Sequence, residues 1–340
     1  MRAVYFTRHG GPEVLEYGTM ADPVRGPQEV LVDVKACALN HLDIWVRTGV
    51  SKCQPMPHIP GSDVSGAVLE APSGSVLKKG QRVVVSPGRI PAKDMATFEG
   101  RDSFSPDFNI LGLQTQGGYA ERVSAPEPLV IPVSDRYSFE EWASLPLASL
   151  TAYHMLITRA GLKKGETVLV HAGGSGIGGH ALQIARHLGA RVLTTVGDEA
   201  KASRARQLGA DEVIFYRTED FAEKVASLTG GRGVDVVFEH IGPDVWQKSL
   251  SSLVRGGRLV TCGATSGPKA EIDIRYLYAK QLSIIGSYMG SLSELRAVLE
   301  LAEKGILTPV VDKVFPLGEA AEAHRYMESR KNFGKIVLRV

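Results

Sequence analysis

The sequence has few cysteines, no long apolar run and no excess of charge of either sign. Its three cysteines among 340 residues, Cys37, Cys53 and Cys262, are too few and too scattered for a disulfide framework or a cysteine-rich metal site. No apolar stretch approaches the ~20 residues that a transmembrane helix needs. Residues 1–6 read as a strand and lack the apolar stretch of a signal peptide. We therefore expect a soluble, cytoplasmic protein.

The charge balance argues against polyanionic partners. Lys and Arg number 39 against 37 Asp and Glu, the net charge is +2, and no long basic block occurs. Such a chain has no electrostatic footprint for nucleic acid or for an anionic membrane, so neither partner is expected. Hydrophobic residues at 44% and charged residues at 22% are ordinary globular values. At ~100–200 residues per domain, the length predicts two domains or one very large domain.

The hydrophobic pattern changes near Ser138. Before it, short runs such as 29–36 alternate apolar and polar residues with the period of a half-buried strand, and helical pattern is scarce. Ser138 and Glu141 then fit a capping box, which predicts a helix start. Beyond them, strand-like and helical segments alternate. The strand-like segments are 167–171, 191–196, 212–215, 235–239, 258–262 and 282–286, and the helical ones include 177–188, 199–208 and 245–254.

This alternation predicts an α/β fold whose second part is a doubly wound parallel sheet. After it, 293–303 and 320–327 have helical spacing, and 335–340 reads as a strand. A strand beyond a completed sheet is expected to return to the β-rich part of the chain. The Rossmann-type domain would then be inserted into the other domain. The expected division is 1–150 with 289–340 for one domain, and 151–288 for the other.

A glycine-rich turn follows the first strand of the alternating region. Glycines between a strand and a helix let the backbone approach a pyrophosphate, while the helix N-terminus supplies free amides. Two registers fit the pattern G-x-G-x-x-G: one places Gly174, Gly176 and Gly179 in the glycine positions, and the other places Gly173, Ser175 and Gly178 there. The predicted coenzyme-binding residues of the turn are Gly173, Gly174, Ser175, Gly176, Ile177 and Gly178.

The end of the second strand of this region bears on the choice of coenzyme. An NAD site normally carries an acidic residue there, ~20 residues after the glycines, but this sequence has Val196. The missing carboxylate removes a charge that would repel a 2′-phosphate, and Lys201 in the next turn is suited to neutralise one. Asp198 is the alternative ligand, to a ribose hydroxyl, and a solvated helix face is the alternative reading of Lys201. We expect NADPH, with NADH as the alternative.

Several segments together resemble the medium-chain dehydrogenase/reductase superfamily over essentially the whole chain. They are LNHLDIWVRTG (39–49), IPGSDVSG (59–66), GGYAERV (117–123), SLPLASLTAY (144–153), the glycine-rich turn, GGRLVTCG (256–263), LSIIGSYMGS (282–291) and FGKIVL (333–338). The resemblance implies a GroES-like, β-rich catalytic domain, built from both ends of the chain, around a Rossmann domain with a doubly wound parallel sheet.

The zinc-ligand positions of that superfamily are changed in this sequence. Its catalytic Cys falls on Asn40, its His on Ser62, and its third ligand has no counterpart in 146–150. Because a catalytic zinc needs three protein ligands, we expect no metal, and the sequence resembles the zinc-free, quinone oxidoreductase-like branch. The structural-zinc lobe keeps its length without its thiolates, so either local hydrogen bonds or a subunit contact must hold it. Its four cysteine positions fall on Pro91, Asp94, Thr97 and Ser105.

The resemblance also assigns roles to individual residues. Asn40 would hydrogen-bond the nicotinamide or the acceptor oxygen, and Thr151 would lie beside the nicotinamide. Asp43 reads equally as a substrate-facing group and as a residue that holds its loop. These three are the predicted catalytic residues. Lys201 and Tyr216 would grip the 2′-phosphate and Lys335 the pyrophosphate. The predicted coenzyme-binding residues outside the turn are Gly197, Lys201, Tyr216, Gly263 and Lys335.

The predicted activity is zinc-independent transfer of hydride from NADPH to a quinone or another conjugated carbonyl acceptor. Without a Lewis acid, alcohol oxidation is poorly supported, whereas an activated acceptor needs mainly positioning and polar contacts. The alternatives are an enoyl or 2-alkenal reductase, an alcohol dehydrogenase with an unusual metal site on Asp63, His41 or Asp43, and a non-catalytic NADPH-binding sensor. The resemblance also implies a homodimer or homotetramer, paired through the strand near 282–287.

Overall fold

A computed structural model describes residues 1–53 and 55–340. Over that part of the chain, no helix is long and apolar enough to cross a membrane. The strands are β1 (Arg2–Tyr5), β2 (Glu16–Thr19), β3 (Glu29–Ala38), β4 (Asp63–Glu70), β5 (Arg82–Val85), β6 (Gly88–Arg89), β7 (Asn109–Ile110), β8 (Arg122–Pro126), β9 (Val130–Pro132), β10 (Thr167–Val170), β11 (Arg191–Val196), β12 (Glu212–Phe215), β13 (Val234–Glu239), β14 (Leu253–Thr261), β15 (Ser283–Gly286), β16 (Val311–Pro316) and β17 (Lys335–Arg339). The α-helices are α1 (His41–Thr48), α2 (Ala92–Met95), α3 (Phe139–Ala143), α4 (Pro146–Tyr153), α5 (Gly176–His187), α6 (Glu199–Gln207), α7 (Phe221–Leu228), α8 (Pro243–Ser251), α9 (Ile274–Ala279), α10 (Leu292–Glu303) and α11 (Ala320–Glu328).

The chain divides into two compact units. Unit 1 comprises Met1–Leu150 and Gly290–Val340, and unit 2 comprises Thr151–Met289. The sequence placed the boundaries at 150/151 and 288/289, so the second lies one residue before the boundary in the structure. Each unit has its own sheet and its own hydrophobic core.

Unit 2 is built on a parallel sheet with strand order β12-β11-β10-β13-β14-β15. The chain begins in the middle, builds one edge, and then returns to build the other, which is the order of a doubly wound Rossmann sheet. β10 and β13 are buried along their whole length, as central strands covered on both faces must be. The predicted α/β fold is therefore confirmed. The ends of β10 and β11 lie at the carboxyl edge, where such sheets bind nucleotides.

Unit 1 is built on a mostly antiparallel sheet with strand order β16-β17-β3-β4-β5-β9, in which β8 also pairs with β3. Along β3, buried and half-buried residues alternate, as its sequence period predicts. The last strand, β17, pairs antiparallel with β3, and Val337 lies opposite Ala38. The predicted return of the C-terminal strand is therefore confirmed. This pairing places the start of β17 next to the end of β3, where the polar residues of unit 1 collect.

Two local predictions differ from the structure. The helical pattern at 245–254 runs too far, because Leu253 pairs with Val234 of β13 and so belongs to a strand. The sequence analysis did not predict helix α1. Its start has a capping box, in which the Asn40 backbone N–H donates to the Asp43 carboxylate at 2.8 Å. The predicted capping box at 138–141 is confirmed at the start of α3.

Candidate functional site

The glycine-rich turn of unit 2 lies between β10 and α5, and neighbouring atoms leave no room for a Cβ at two of its glycines. A Cβ atom on Gly173 would lie 2.3 Å from Thr194 Oγ1, and one on Gly178 would lie 2.3 Å from the carbonyl oxygen of Ala172. Ser175 caps α5, because its hydroxyl accepts a hydrogen bond from the Gly178 N–H at 2.9 Å. These contacts favour the register in which Gly173, Ser175 and Gly178 occupy the three motif positions.

The remaining residues of the turn supply backbone donors. Gly176 and Ile177 are the first two residues of α5, and Gly174 precedes its N-cap. The N–H groups at the first positions of a helix have no acceptor four residues earlier, so they are available to an anion. A turn without side chains at the close approaches, followed by free amides, fits a dinucleotide pyrophosphate. All six predicted turn residues therefore lie together.

The end of β11 carries a cluster of polar groups suited to a phosphate. A Cβ atom on Gly197 would lie 3.0 Å from the Tyr216 hydroxyl and 3.3 Å from Arg217 Nε. Asp198 is committed to capping α6, since its carboxylate accepts from the backbone N–H of Lys201 at 2.9 Å. The structure thus brings Gly197 and Tyr216 together and places Lys201 in the first turn of α6, and their contact with the coenzyme stays a prediction.

Arg217 is a candidate binding residue that the sequence analysis missed. It is exposed, and among the described residues its guanidinium has no ion pair or side-chain hydrogen bond. The signal in the sequence was its place directly after Tyr216, at the end of the third strand of the sheet. A guanidinium suits a phosphate because it offers several N–H donors in one plane.

The polar centre of unit 1 is a buried amide held between two opposite charges. Asn40 Oδ1 accepts from Lys335 Nζ at 2.6 Å, and Asn40 Nδ2 donates to Asp63 Oδ2 at 2.9 Å. Lys335 also forms an ion pair with Asp63 at 2.8 Å, and the second oxygen of Asp63 accepts from the backbone N–H of Leu147 at 2.7 Å. Asn40, Asp63 and Lys335 are all at most 7% exposed. Because an ammonium only donates and a carboxylate only accepts, the amide has one possible orientation.

Asp43 holds the segment around Asn40 together. One carboxylate oxygen accepts from the Asn40 N–H at 2.8 Å and the Tyr119 hydroxyl at 3.1 Å, and the other accepts from the Gly61 N–H at 3.1 Å. Complete burial raises the pKa of Asp43 to about 6, against the opposing effect of these hydrogen bonds. Of the two readings of Asp43, the structure favours the one in which it holds its loop. A substrate contact of Asp43 stays a prediction.

Behind Asp43, a further buried chain of polar groups has a defined protonation state. The Tyr119 hydroxyl donates its hydrogen to Asp43, so it can only accept from His324 Nε2, at 3.3 Å. Because Nε2 carries the proton, His324 Nδ1 accepts from Arg47 at 3.1 Å. Arg47 also pairs with Glu328. Burial, followed by the charge of Arg47, lowers the pKa of His324 to about 3. His324 is therefore neutral, with its proton on Nε2.

A catalytic zinc does not fit the donors of unit 1. The Cys and His positions hold an amide, Asn40, and a buried hydroxyl, Ser62, and the nearby carboxylate of Asp63 is neutralised by Lys335. Among residues 1–53 and 55–340, no three His, Cys, Asp or Glu side chains form a group that could hold a metal ion. A zinc ion beside Lys335 would meet a cation where it needs an anionic ligand.

Hydrogen bonds hold the lobe in which superfamily members place structural zinc. Two of its four former cysteine positions contact each other directly, because Ser105 Oγ donates to Asp94 Oδ2 at 2.8 Å. The same hydroxyl accepts from the Asp107 N–H at 3.1 Å, and Lys93 pairs with Asp107 at 2.8 Å. Local hydrogen bonding, one of the two explanations that the sequence left open, is present in the structure, and the subunit contact stays a prediction.

The other predicted site residues lie in separate places. Thr151 is 5% exposed on α4, at the first position of unit 2. Gly263 follows β14, where an added Cβ would lie 3.0 Å from the carbonyl oxygen of His240. Lys335 belongs to unit 1 and is paired with Asp63, so its predicted contact with the pyrophosphate stays a prediction. Within unit 1, the structure joins Asn40, Asp43 and Lys335 in one network.

Comparison with known proteins covers both units. Residues 26–135 match the family model of the alcohol dehydrogenase GroES-like domain, and residues 176–304 match that of the zinc-binding dehydrogenase. The quinone oxidoreductase of Homo sapiens is 34% identical over 349 residues, which cover 99% of this chain and 97% of that protein.

Solved structures agree on the fold and differ in the coenzyme they name. A structure described as an NAD-dependent alcohol dehydrogenase is 44% identical with a TM-score of 0.97, and a mycobacterial protein complexed with NADPH is 32% identical with a TM-score of 0.83. Both comparisons cover 100% of each chain. A nicotinamide coenzyme is therefore common to the neighbours. This chain belongs to the medium-chain dehydrogenase/reductase superfamily, as an NAD(P)-dependent oxidoreductase similar to the quinone oxidoreductases.

Proposed function

We propose that the protein is a zinc-independent reductase that transfers hydride from NADPH to a quinone or another conjugated carbonyl compound. The observation that carries this proposal is the buried amide of Asn40, which stands at a zinc-ligand position and keeps one N–H to donate. A carbonyl oxygen that becomes negative during reduction needs such a donor in a water-poor site. Similarity to the human quinone oxidoreductase supports the acceptor class.

The residues of unit 2 support NADPH as the coenzyme. When bound, its nicotinamide supplies the hydride. Gly173 and Gly178 let the backbone approach the pyrophosphate, while Lys201, Tyr216 and Arg217 offer two cations and a hydroxyl to a 2′-phosphate. Asp198 caps α6 through Oδ1, which accepts from the Lys201 N–H.

In this reaction the protein positions the reactants and donates hydrogen bonds. Reduction of a quinone adds one hydride, which brings both electrons, and one proton from solvent, and the product is the hydroquinone. In this proposal Asn40 donates a hydrogen bond to the oxygen that becomes anionic, and Thr151 lies beside the nicotinamide. Asp43 and Tyr119 keep Asn40 in place. No step requires a metal ion.

The test is NADPH oxidation with 1,4-benzoquinone by protein dialysed against EDTA. We expect turnover well above the uncatalysed rate, no gain on adding zinc, and a higher kcat/KM for NADPH than for NADH. Asn40→Ala should lower kcat by ~10²–10³-fold, the usual effect of removing one oxyanion donor. Activity that disappears on chelation and returns with zinc would overturn the proposal.

Alcohol oxidation is a second candidate, because a solved structure named an NAD-dependent alcohol dehydrogenase is 44% identical. It predicts that the dialysed protein reduces NAD⁺ with a primary alcohol and reduces benzoquinone slowly or not at all. A 2-alkenal belongs in the same assay, since faster reduction of the alkenal than of the quinone would identify an enoyl-type reductase. Tight NADPH binding without turnover on any acceptor would indicate a coenzyme sensor.

We also propose that two copies of the chain pair through β15. Within the described residues, β15 pairs only with β14, so its other edge is open. On the neighbouring α9, Ile274 is 70% and Tyr278 67% exposed, which is unusual for large apolar side chains. Analytical ultracentrifugation should show a dimer or tetramer, and a charged substitution at Ile285 should shift the population to monomer. A monomer at micromolar concentration would refute the pairing.

A further inference from the structure

The amide of Asn40 has one hydrogen that the protein does not use. Its oxygen faces Lys335 and one N–H faces Asp63, and no second acceptor for Nδ2 exists among the described residues. The side chain is 7% exposed, so water has little access to the remaining N–H. A buried donor without a partner costs free energy, and such groups are found where a ligand supplies the missing acceptor.

We infer that Lys335 and Asp63 fix Asn40 as an obligate hydrogen-bond donor, and that this selects a ligand oxygen that accepts a hydrogen bond, such as a carbonyl oxygen, over an N–H group that can only donate. This inference rests on the proposed function and adds a positioning role for Lys335. The site offers an amide N–H, and its amide oxygen is already occupied by an ammonium. A ligand group that must donate finds no acceptor at this amide.

Lys335 also cancels the charge of Asp63. Without the ammonium, the carboxylate would lie one hydrogen bond away from the amide and would repel an oxygen that becomes negative. The ion pair is 2.8 Å long, and its two side chains are 4% and 0% exposed. In a low-dielectric interior the attraction between the two charges is stronger than at the surface, and loss of either partner leaves the other charge buried and uncompensated. Moving Lys335 onto a coenzyme phosphate would leave Asp63 buried without a counter-charge, so we place Lys335 on Asn40 and Asp63.

The experiment compares the double variant Asp63→Asn/Lys335→Met with the wild type. Removing both charges avoids an isolated buried ion, and therefore protects the fold better than Lys335→Met alone. The matched control is Lys35→Met, which removes an ion pair of the same length, 2.8 Å, whose lysine is 43% exposed. The measurements are kcat with benzoquinone, the Kd for NADPH from fluorescence, and the Kd for 4-nitrophenolate as an oxyanion probe.

We expect kcat to fall about tenfold in the double variant, which corresponds to ~1.4 kcal/mol, and 4-nitrophenolate binding to weaken by a similar factor. The Kd for NADPH should stay within about twofold of the wild-type value. Adding the double change to Asn40→Ala should lower kcat by less than about twofold more, because Lys335 acts through the amide. Lys35→Met should leave all three measurements unchanged.

Three results would overturn the inference. A tenfold rise in the Kd for NADPH with unchanged kcat would make Lys335 a pyrophosphate ligand. A lower melting temperature with unchanged kcat and probe binding would make the pair purely structural. A full further tenfold loss of kcat in the Asn40→Ala background would show that Lys335 acts independently of the amide. If the wild type reduces no quinone, the proposed function fails. The inference is then decided by 4-nitrophenolate alone: it requires that the wild type binds this probe and that Asn40→Asp does not.

Discussion

Removal of the Arg217 guanidinium should weaken the use of NADPH and leave the use of NADH almost unchanged. The two coenzymes differ only in the 2′-phosphate, so their comparison isolates whatever contacts that group. Arg217 Nε and the Tyr216 hydroxyl lie 3.3 and 3.0 Å from the Cβ position of Gly197, at the end of β11. Because Arg217 makes no ion pair within the described residues, its substitution breaks no internal salt bridge.

The size of the effect follows from charge and distance. Two unit charges 4 Å apart in water attract by about 1 kcal/mol, and a phosphomonoester carries ~1.5–2 negative charges near neutral pH. Arg217→Ala should therefore cost about 1.5–2 kcal/mol, or ~10–30-fold in kcat/KM for NADPH. The water value applies because Arg217 is exposed. Arg217→Lys, which keeps the charge and loses the planar fork, should give an intermediate loss.

The assay measures kcat/KM for both coenzymes at 50 and 300 mM salt, with Arg206→Ala as the control. Arg206 is another exposed arginine of unit 2, and it pairs with Glu199 on α6. The NADPH/NADH ratio should fall in Arg217→Ala, stay constant in Arg206→Ala, and fall less steeply with salt in Arg217→Ala than in the wild type. An unchanged ratio in Arg217→Ala, or a wild type that prefers NADH, would refute the assignment of this cluster to the 2′-phosphate.

Three further predictions concern other parts of the chain. Gly178→Ala should raise the Kd for NADPH at least tenfold, because its Cβ would lie 2.3 Å from a backbone oxygen, whereas Gly286→Ala, with nothing within 4 Å, should not. The pKa of His324 is about 3 in the folded chain and 6.5 in the unfolded chain, so the unfolded chain binds the proton first and stability falls as the pH drops from 6.5 to 3. Over that pH range, His324→Gln should reduce the pH slope of the unfolding free energy, measured with urea, by ~1.4 kcal/mol per pH unit. Equal slopes would contradict the buried neutral imidazole. Ser105→Ala should remove the hydrogen bond to Asp94 and lower the free energy of unfolding by ~1 kcal/mol. Amide exchange at 91–108 should become faster while kcat stays the same. Unchanged exchange would show that other contacts hold the lobe.

Much of the fold was accessible from the sequence because its signals are local. Apolar runs mark the strands of unit 2, and the glycines of the turn are required by contacts within a few residues or to the neighbouring strand. The return of β17 to β3 also followed, since a strand left over after a completed parallel sheet needs another partner. The predicted helix over 245–254 was wrong at its end, because Leu253 pairs with Val234 of β13 and belongs to a strand.

The candidate site was less accessible because its contacts join distant positions. Lys335 and Asn40 are 295 residues apart, and nothing in the spacing of either residue shows that an ammonium holds the amide. His324 and Tyr119 are 205 residues apart and likewise meet only in the folded chain. Arg217 lies next to a predicted residue in sequence, yet its relation to Gly197 depends on the parallel pairing of β11 with β12. Residue types indicated the chemistry, and the fold determined the partners.

In the proposed reaction the Asn40 amide, and no metal ion, assists hydride transfer. The direct measurement is the single-turnover rate of NADPH oxidation by benzoquinone in EDTA-dialysed protein, with NADPH and with its 4-deuterated form, for the wild type and Asn40→Ala. We predict a primary deuterium isotope effect, no response to added zinc, and a rate ~10²-fold lower in Asn40→Ala. An equal rate in Asn40→Ala, or a wild-type rate that requires zinc, would contradict the account.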